Sequence, residues 1–425
     1  MVSEALEFYL KSVGTKSSLS LNRASQKLQA IPHHLTYQST PNPKNVVIIG
    51  GSYAGARLAQ RLTETLPTGY RVVLIERNSH FNHFFVFPRF GVTKGQEGKA
   101  FVPYDGMARG TPKGIFEHIR DTATGITGHS VQLASGREVE YTYLAVATGA
   151  WQPVPCKYDA VTREQGMSAL QTTQKAVEAA RSIAVVGGGP VGVEVTADIK
   201  SVYDGKDVTL VHSRERVLSA FGPRLQGVVM DALGKMGVEL LMGERPIVKT
   251  DAGADAGGVI GPGTLVFKDG TQKSYDLVLP CTGQRPNSDI LAQFAPAAID
   301  PQTGQVLVHP TLQINDGSAN KNNRVFSLGD VAKTGGPRFA RAARAQLMIV
   351  ASNILALIKG GRQAQLSEYH PAMYERAIKL TLGMSDFVFC GRMEDGREVM
   401  KFGKLHNQDM EIASVWEQLG TKMEF

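Results

Sequence analysis

Two glycine clusters carry the first chemistry in this sequence. GGSYAG spans residues 50–55, after the apolar run VVII, and GGGPVG spans 187–192, after IAVV. A glycine at Gly50 lets the chain turn sharply out of a strand. Gly55 lets the following helix approach the sheet, and the helix N-terminus then offers N–H groups to a pyrophosphate. Ser52 stands where the middle glycine of such a turn is usual; it is small and carries a hydroxyl. The second cluster has all three glycines, Gly187, Gly189 and Gly192.

Each cluster is followed by a polar residue at the spacing of a ribose contact. Glu76 lies 21 residues beyond Gly55, at the end of YRVVLIE, and suits a carboxylate accepting from ribose hydroxyls. Arg77 follows it and is expected in the same site. His212 lies 20 residues beyond Gly192, with Ser213 and Arg214 next. A carboxylate there would repel a 2′-phosphate, whereas His212 and Arg214 would accept one, which favours NADPH over NADH while leaving NADH open. Glu194, just after the second glycines, is placed to touch the ribose or amide of a nicotinamide. In RVFSLGDVA, a strand ends at Gly329-Asp330, where a carboxylate can bind the hydroxyls of a flavin's ribitol.

One stretch is conspicuous for what it lacks. FNHFFVFPRF, residues 81–90, follows Glu76 and is rich in aromatics but has no cysteine. Phe85 and Phe87, with Pro88 fixing the turn, would suit a flat apolar acceptor, or would simply be core. His83 and Arg89 could polarise a quinone oxygen, or serve structure. The cysteines of the chain are Cys156, Cys281 and Cys390, far apart and without a CxxC. No vicinal dithiol is available, a disulfide framework or zinc site is not expected, and a reducing compartment fits best.

The elements that must hold these residues repeat. VVIIGGSYAG echoes IAVVGGGPVG at an offset of 137 residues, and LASGREVEYTYLAVATG echoes FKDGTQKSYDLVLPCTG at 134. Gly136 and Gly270 each precede a Thr-Gly by twelve residues, reaching Thr148-Gly149 and Thr282-Gly283. Each copy reads as strand, glycine turn, helix, strand, a hairpin at Ser135-Gly136 or Asp269-Gly270, and a last strand. Strands alternating with helices predict doubly wound parallel sheets in an α/β fold.

Composition agrees with a soluble globular protein of 425 residues, 42% hydrophobic and 20% charged. No apolar run reaches the length of a membrane span. The net charge of +7 is mildly basic without a dense Lys/Arg block, so nucleic acid is not an expected partner. Residues 8–44 contain no acidic residue. Leu6, Tyr9, Leu10 and Val13 fall at helical spacing with Ser3 as N-cap, which suits a targeting segment or an extension packed on the body. Met1 is not followed by glycine and MEF is not a prenylation signal.

Together, GGSYAG with Glu76, ATG at 147–149, GGGPVG, CTGQRPN at 281–287 and SLGD at 327–330 resemble the pyridine nucleotide-disulfide reductase superfamily, over roughly residues 45–385. Within it, the cysteine-free aromatic stretch and YHPAMYERAIKLTLG at 369–383 look like the apoptosis-inducing-factor-like, mitochondrion-associated oxidoreductases, including the ferroptosis-suppressor type. The resemblance implies two Rossmann-like dinucleotide-binding domains, the second inserted in the first, plus a small C-terminal region. The expected bounds are an extension over 1–44, an FAD domain over 45–152 and 284–365, a nucleotide domain over 153–283 and a C-terminal region over 366–425.

The same resemblance implies FAD in the first copy and NADPH or NADH in the second. Hydride passes to FAD, and electrons then pass to a quinone-like acceptor. The family carries a lysine near the flavin after the Gly-Asp strand; Arg338 stands at that position, which keeps the charge but offers no transferable proton at neutral pH. A cytoplasmic location follows, with mitochondrial association and peripheral membrane contact as variants. The alternatives are a reductase of a small electron-transfer protein such as a ferredoxin, a dedicated pathway flavoenzyme, or a non-enzymatic signalling or nucleic-acid-binding flavoprotein.

Overall fold

The structure, a computed structural model, describes residues 8, 28, 30–250, 261–318 and 324–423. The predicted N-terminal helix around Leu6, Tyr9, Leu10 and Val13 lies outside these residues. Phe8 is buried, with its ring edge-on to Phe389 at 5.7 Å.

The two copies form two sheets. The first has five parallel strands in the order Val325–Ser327, Tyr143–Val146, Lys44–Ile49, Tyr70–Ile75, Phe116–Ile119. These strands are nearly continuous in Val, Ile and Leu because helices and loops cover both faces. The second sheet runs Glu239–Met242, Asp207–His212, Ser182–Val186, Gln272–Pro280, Gly261–Val266, Ile247–Thr250. Its first three pairings are parallel and its last two antiparallel. The hairpins close at Gly136 and Gly270, both in the left-handed region that glycine adopts without strain.

The second sheet is inserted in the first. The chain leaves the first sheet after Tyr143–Val146 and returns to pair Val325–Ser327 beside that same strand. The outgoing and returning crossovers touch, Ala150 opposite Pro286 and Trp151 opposite Arg285 in an antiparallel pair. A third, antiparallel sheet of Ile378–Leu382, Asp386–Arg392 and Glu398–Lys404 packs Leu380 and Val388 into the core of the second unit. The chain then recrosses to the first unit, where Trp416 Nε1 donates to Lys99 O at 2.9 Å.

The helix Ala340–Gly360 is long and apolar enough to cross a membrane by length and composition alone. It packs instead on the helix Tyr53–Thr63 with Leu347, Val350 and Ile354 in the core of the first unit. Its buried polar residues are satisfied within the fold: Gln346 accepts from Gly329 N at 2.8 Å, and Asn353 donates to Thr311 O at 2.9 Å. Such pairing is what a buried polar group requires.

Candidate functional site

The first glycine turn is shaped by steric necessity. Gly50 has φ +98°, and a Cβ on Gly55 would lie 1.8 Å from Gly50 O. The helix Tyr53–Thr63 therefore starts hard against the strand end, with Ser52 as an N-cap whose side chain makes no capping bond. Glu76 closes one side. Its Oε2 accepts from Gly51 N at 2.6 Å and its Oε1 from Asn78 N at 2.8 Å. Burial raises its pKa, and these N–H groups oppose that rise. Tyr104 fixes the turn from below, donating to Gly51 O at 2.7 Å. Arg77 is at the rim, half exposed and paired with Asp159 at 2.9 Å.

The remaining predicted residues of this copy converge on the same sheet edge. A Cβ on Gly50 would meet Thr148 Cα at 3.2 Å, and one on Gly329 would meet Ala54 Cβ at 3.2 Å. Thr148 Oγ1 donates to Asn287 O at 2.6 Å, and Asn287 N donates to Gly149 O at 3.0 Å. Asp330, at the end of its strand, accepts from Gln284 Nε2 at 3.3 Å. Burial raises its pKa against the attraction of Lys157 and Arg338. Gly50, Ser52, Gly55, Glu76, Thr148, Gly149, Gly329 and Asp330 thus lie together at the carboxyl ends of parallel strands, where open α/β sheets bind ligands.

Lys157 belongs to this cleft and no motif announced it. It lies over the Phe84 ring at 4.4 Å and donates to Ala150 O. Burial lowers its pKa, while Asp330 and Glu76 pull it back up. Arg338 lines a 490 Å³ cavity with Gln305, Lys333, Gly335, Gly336 and Pro337.

The second turn repeats the design. Gly187 has φ +123°, and a Cβ on Gly192 would lie 1.8 Å from Gly187 O. Gly189 caps the helix Pro190–Val202, while Thr282-Gly283 follow the last central strand; Gly283 has φ +86°. His212 is tucked under the turn, its Nδ1 accepting from Gly188 N at 3.1 Å. That bond puts its proton on Nε2, which is buried without a partner among the described residues. Burial, then Arg214, lowers its pKa. His212 therefore offers a neutral N–H, and Arg214, exposed at the rim, is the cation beside it.

Glu194 sits between the second unit and the C-terminal sheet. Its Oε1 accepts from Thr381 N at 2.9 Å and Thr381 Oγ1 at 3.0 Å. Burial is the main cause of a pKa raised to about 7; Asp198 adds to the rise, and the Thr381 bonds and Arg89 oppose it.

The aromatic stretch divides by burial. Phe87 is 0% exposed and Pro88 is buried, so neither forms a wall open to an acceptor. Phe85 is 51% exposed and sits against Tyr53, centroids 5.0 Å apart. His83 is buried, bonded through Nδ1 to Tyr53 Oη at 2.8 Å, and burial lowers its pKa to about 4. Arg89 is fully buried and bridges to Asp198 and Gly383. Both are structural, which the sequence left open.

The site fits two dinucleotides on its own evidence: two cradles that a Cβ would fill, carboxylates at the ribose positions of the first, and an orphaned buried Nε2 at the second. The family described as "Pyridine nucleotide-disulphide oxidoreductase" matches residues 44–346. The chain is 33% identical over 367 residues to "Fe-regulated protein 8" of Mycosarcoma maydis, covering 80% of this chain and 87% of that one. It is 28% identical over 400 residues to "Ferroptosis suppressor protein 1" of Homo sapiens, covering 88% and 95%. The sulfide:quinone oxidoreductase of Aquifex aeolicus shares the fold at TM-score 0.67 and 18% identity, covering 88% of this chain and 90% of that chain.

Proposed function

The chain belongs to the pyridine nucleotide-disulphide oxidoreductase family, an FAD- and NAD(P)H-dependent oxidoreductase, and from that premise we propose that it reduces a quinone-like acceptor directly, without a catalytic disulfide. One observation carries the reading: the stretch beside the first turn has no cysteine and exposes Phe85 over Tyr53. A flat apolar acceptor gains from such aromatic surface. The relative named "Ferroptosis suppressor protein 1" supports it.

Bound FAD supplies a ring that takes two electrons from NAD(P)H and releases them to an acceptor. The chain's own groups do the rest. Glu76 and Asp330 accept hydrogen bonds from hydroxyls, and the two glycine turns present N–H groups to pyrophosphates. Glu194, titrating near neutral pH, holds or releases a proton beside the second turn. Lys157 places an ammonium against the first cleft, opposite Asp330. Arg338 keeps a permanent charge and serves electrostatics rather than proton delivery. NADPH is the favoured donor, on the charge of Arg214 and the neutral N–H of His212.

Anaerobic rapid mixing tests this. Flavin absorbance should bleach with NADPH faster than with NADH and return on adding ubiquinone or menadione. Bleaching without reoxidation by either quinone removes the quinone reading. Reoxidation by a ferredoxin with steep salt dependence would favour the protein-acceptor alternative.

A further inference from the structure

Cys156, Cys281 and Cys390 are free thiols, and the fold brings the first two together. Cys156 follows the outgoing crossover and Cys281 precedes the returning one. Because Ala150–Trp151 and Arg285–Pro286 run antiparallel, continuing both segments away from the pair carries the two cysteines to the same level. Hydrogen bonding with the Cys156 sulfur, then burial, holds the Cys281 thiol there well above its ordinary value.

The pair joins both cleft floors. A Cβ on Gly187 would lie 2.6 Å from Cys281 O, directly under the second turn. Cys156 is followed by Lys157, which lies over Phe84 in the first cleft. Cys390 is remote, in the C-terminal sheet, with Sγ 3.8 Å from Glu398 Oε1.

From this geometry we propose that Cys156 and Cys281 form a reversible redox pair, which a hydroperoxide closes into a disulfide that staples the two crossovers. The pair lies outside the electron route proposed above. The Cys156 thiolate attacks one peroxide oxygen; the O–O bond breaks, a sulfenic acid forms and the first water leaves. The Cys281 thiol then loses its proton and attacks the Cys156 sulfur. An S–S bond forms, the S–O bond breaks, and the departing hydroxide leaves with that proton as the second water. Two thiols and one hydrogen peroxide become one disulfide and two waters; sulfur loses two electrons and the peroxide oxygens gain them. Cysteines carried to one level by two paired crossovers need little backbone movement to bridge. The staple restrains the joint between the units, and so slows NAD(P)H reduction of the flavin.

The test uses the full-length FAD-loaded protein, titrated with hydrogen peroxide, alkylated and mapped by mass spectrometry without reductant. The expected product is a peptide pair joined through Cys156 and Cys281. Two alkylatable thiols are lost, dithiothreitol restores both, and Cys390 is alkylated throughout. Flavin bleaching by NAD(P)H slows on cross-linking and recovers with dithiothreitol. Persistent alkylation of Cys156 and Cys281, or sulfinic acid at Cys156 without a cross-link, overturns the pair; an unchanged bleaching rate in cross-linked protein overturns its control of the joint. In Cys281→Ser, dimedone should capture a Cys156 sulfenic acid. Equal capture in the unsubstituted protein would overturn the resolving role of Cys281.

Discussion

The guanidinium of Arg89 grips the carboxylate of Asp198 through two hydrogen bonds, Nε to Oδ2 at 3.0 Å and Nη2 to Oδ1 at 2.9 Å. Both side chains are fully buried, and Nη2 also donates to Gly383 O at 2.9 Å. One residue of the aromatic stretch thus fastens the first unit to the second nucleotide helix and the C-terminal sheet.

Removing that cation strands a charge. Arg89→Met should cost about 3–5 kcal/mol in denaturant unfolding, the usual penalty for breaking a buried pair. Burial already raises the Asp198 pKa, and Arg89 is what opposes the rise. The deficit should therefore shrink at acid pH, where Asp198 protonates. Arg89→Met with Asp198→Leu should recover most of the loss; a double variant no better than the single one would show that the pair is not the cause.

Glu194 sets a pH dependence. Folding raises its pKa from 4.5 to about 7, so the protonated form favours the fold. Its contribution to stability is full below pH 4.5 and is lost as pH rises through 7. The rate of flavin reduction by NAD(P)H should show one ionisation near pH 7 that Glu194→Gln removes. A wild-type profile flat from pH 6 to pH 8, roughly a unit either side, would separate Glu194 from the hydride step.

Nucleotide choice should divide between two residues. Arg214→Ala removes the exposed cation and should lower the NADPH/NADH ratio of kcat/KM by about tenfold, a loss of about 1.4 kcal/mol. His212→Glu places a carboxylate under the turn and should weaken NADPH more than NADH. An unchanged ratio in both variants, measured by steady-state kinetics, would put the preference elsewhere.

Phe85→Ala should raise KM for menadione several-fold, on the order of the 1 kcal/mol an aromatic contact contributes. Flavin bleaching by NAD(P)H should be unaffected, because Phe85 is largely exposed while Phe84 and Phe87 supply the packing. A change in bleaching with no change in KM would assign Phe85 to the cofactor cleft instead.

The fold was legible in the sequence because its signals are local. A glycine turn, a strand of Val and Ile and a Ser-Gly hairpin each declare themselves within ten residues, and their repetition revealed two units. The pairings that finish the site are not local. Arg89 reads as a charge in a greasy stretch until Asp198 arrives from another unit, and Cys156 finds Cys281 only because the crossovers run side by side. Lys157 follows no motif spacing. The neutral state of His212 is not legible either, because the burial that lowers its pKa is invisible in a string of residue types. The same blindness grouped buried Phe87 with exposed Phe85.

The insertion also dictates an order of assembly on the ribosome. Tyr143–Val146 emerges early but waits for its neighbour Val325–Ser327 until the whole inserted unit has been made. The nascent first sheet is left with an apolar, unpaired edge while the inserted sheet completes itself from contiguous chain. Unpaired edges recruit other strands, and non-local pairings form slowly. The vulnerable species in biogenesis is thus a chain with its second sheet formed and its first half-built, the form a chaperone would meet.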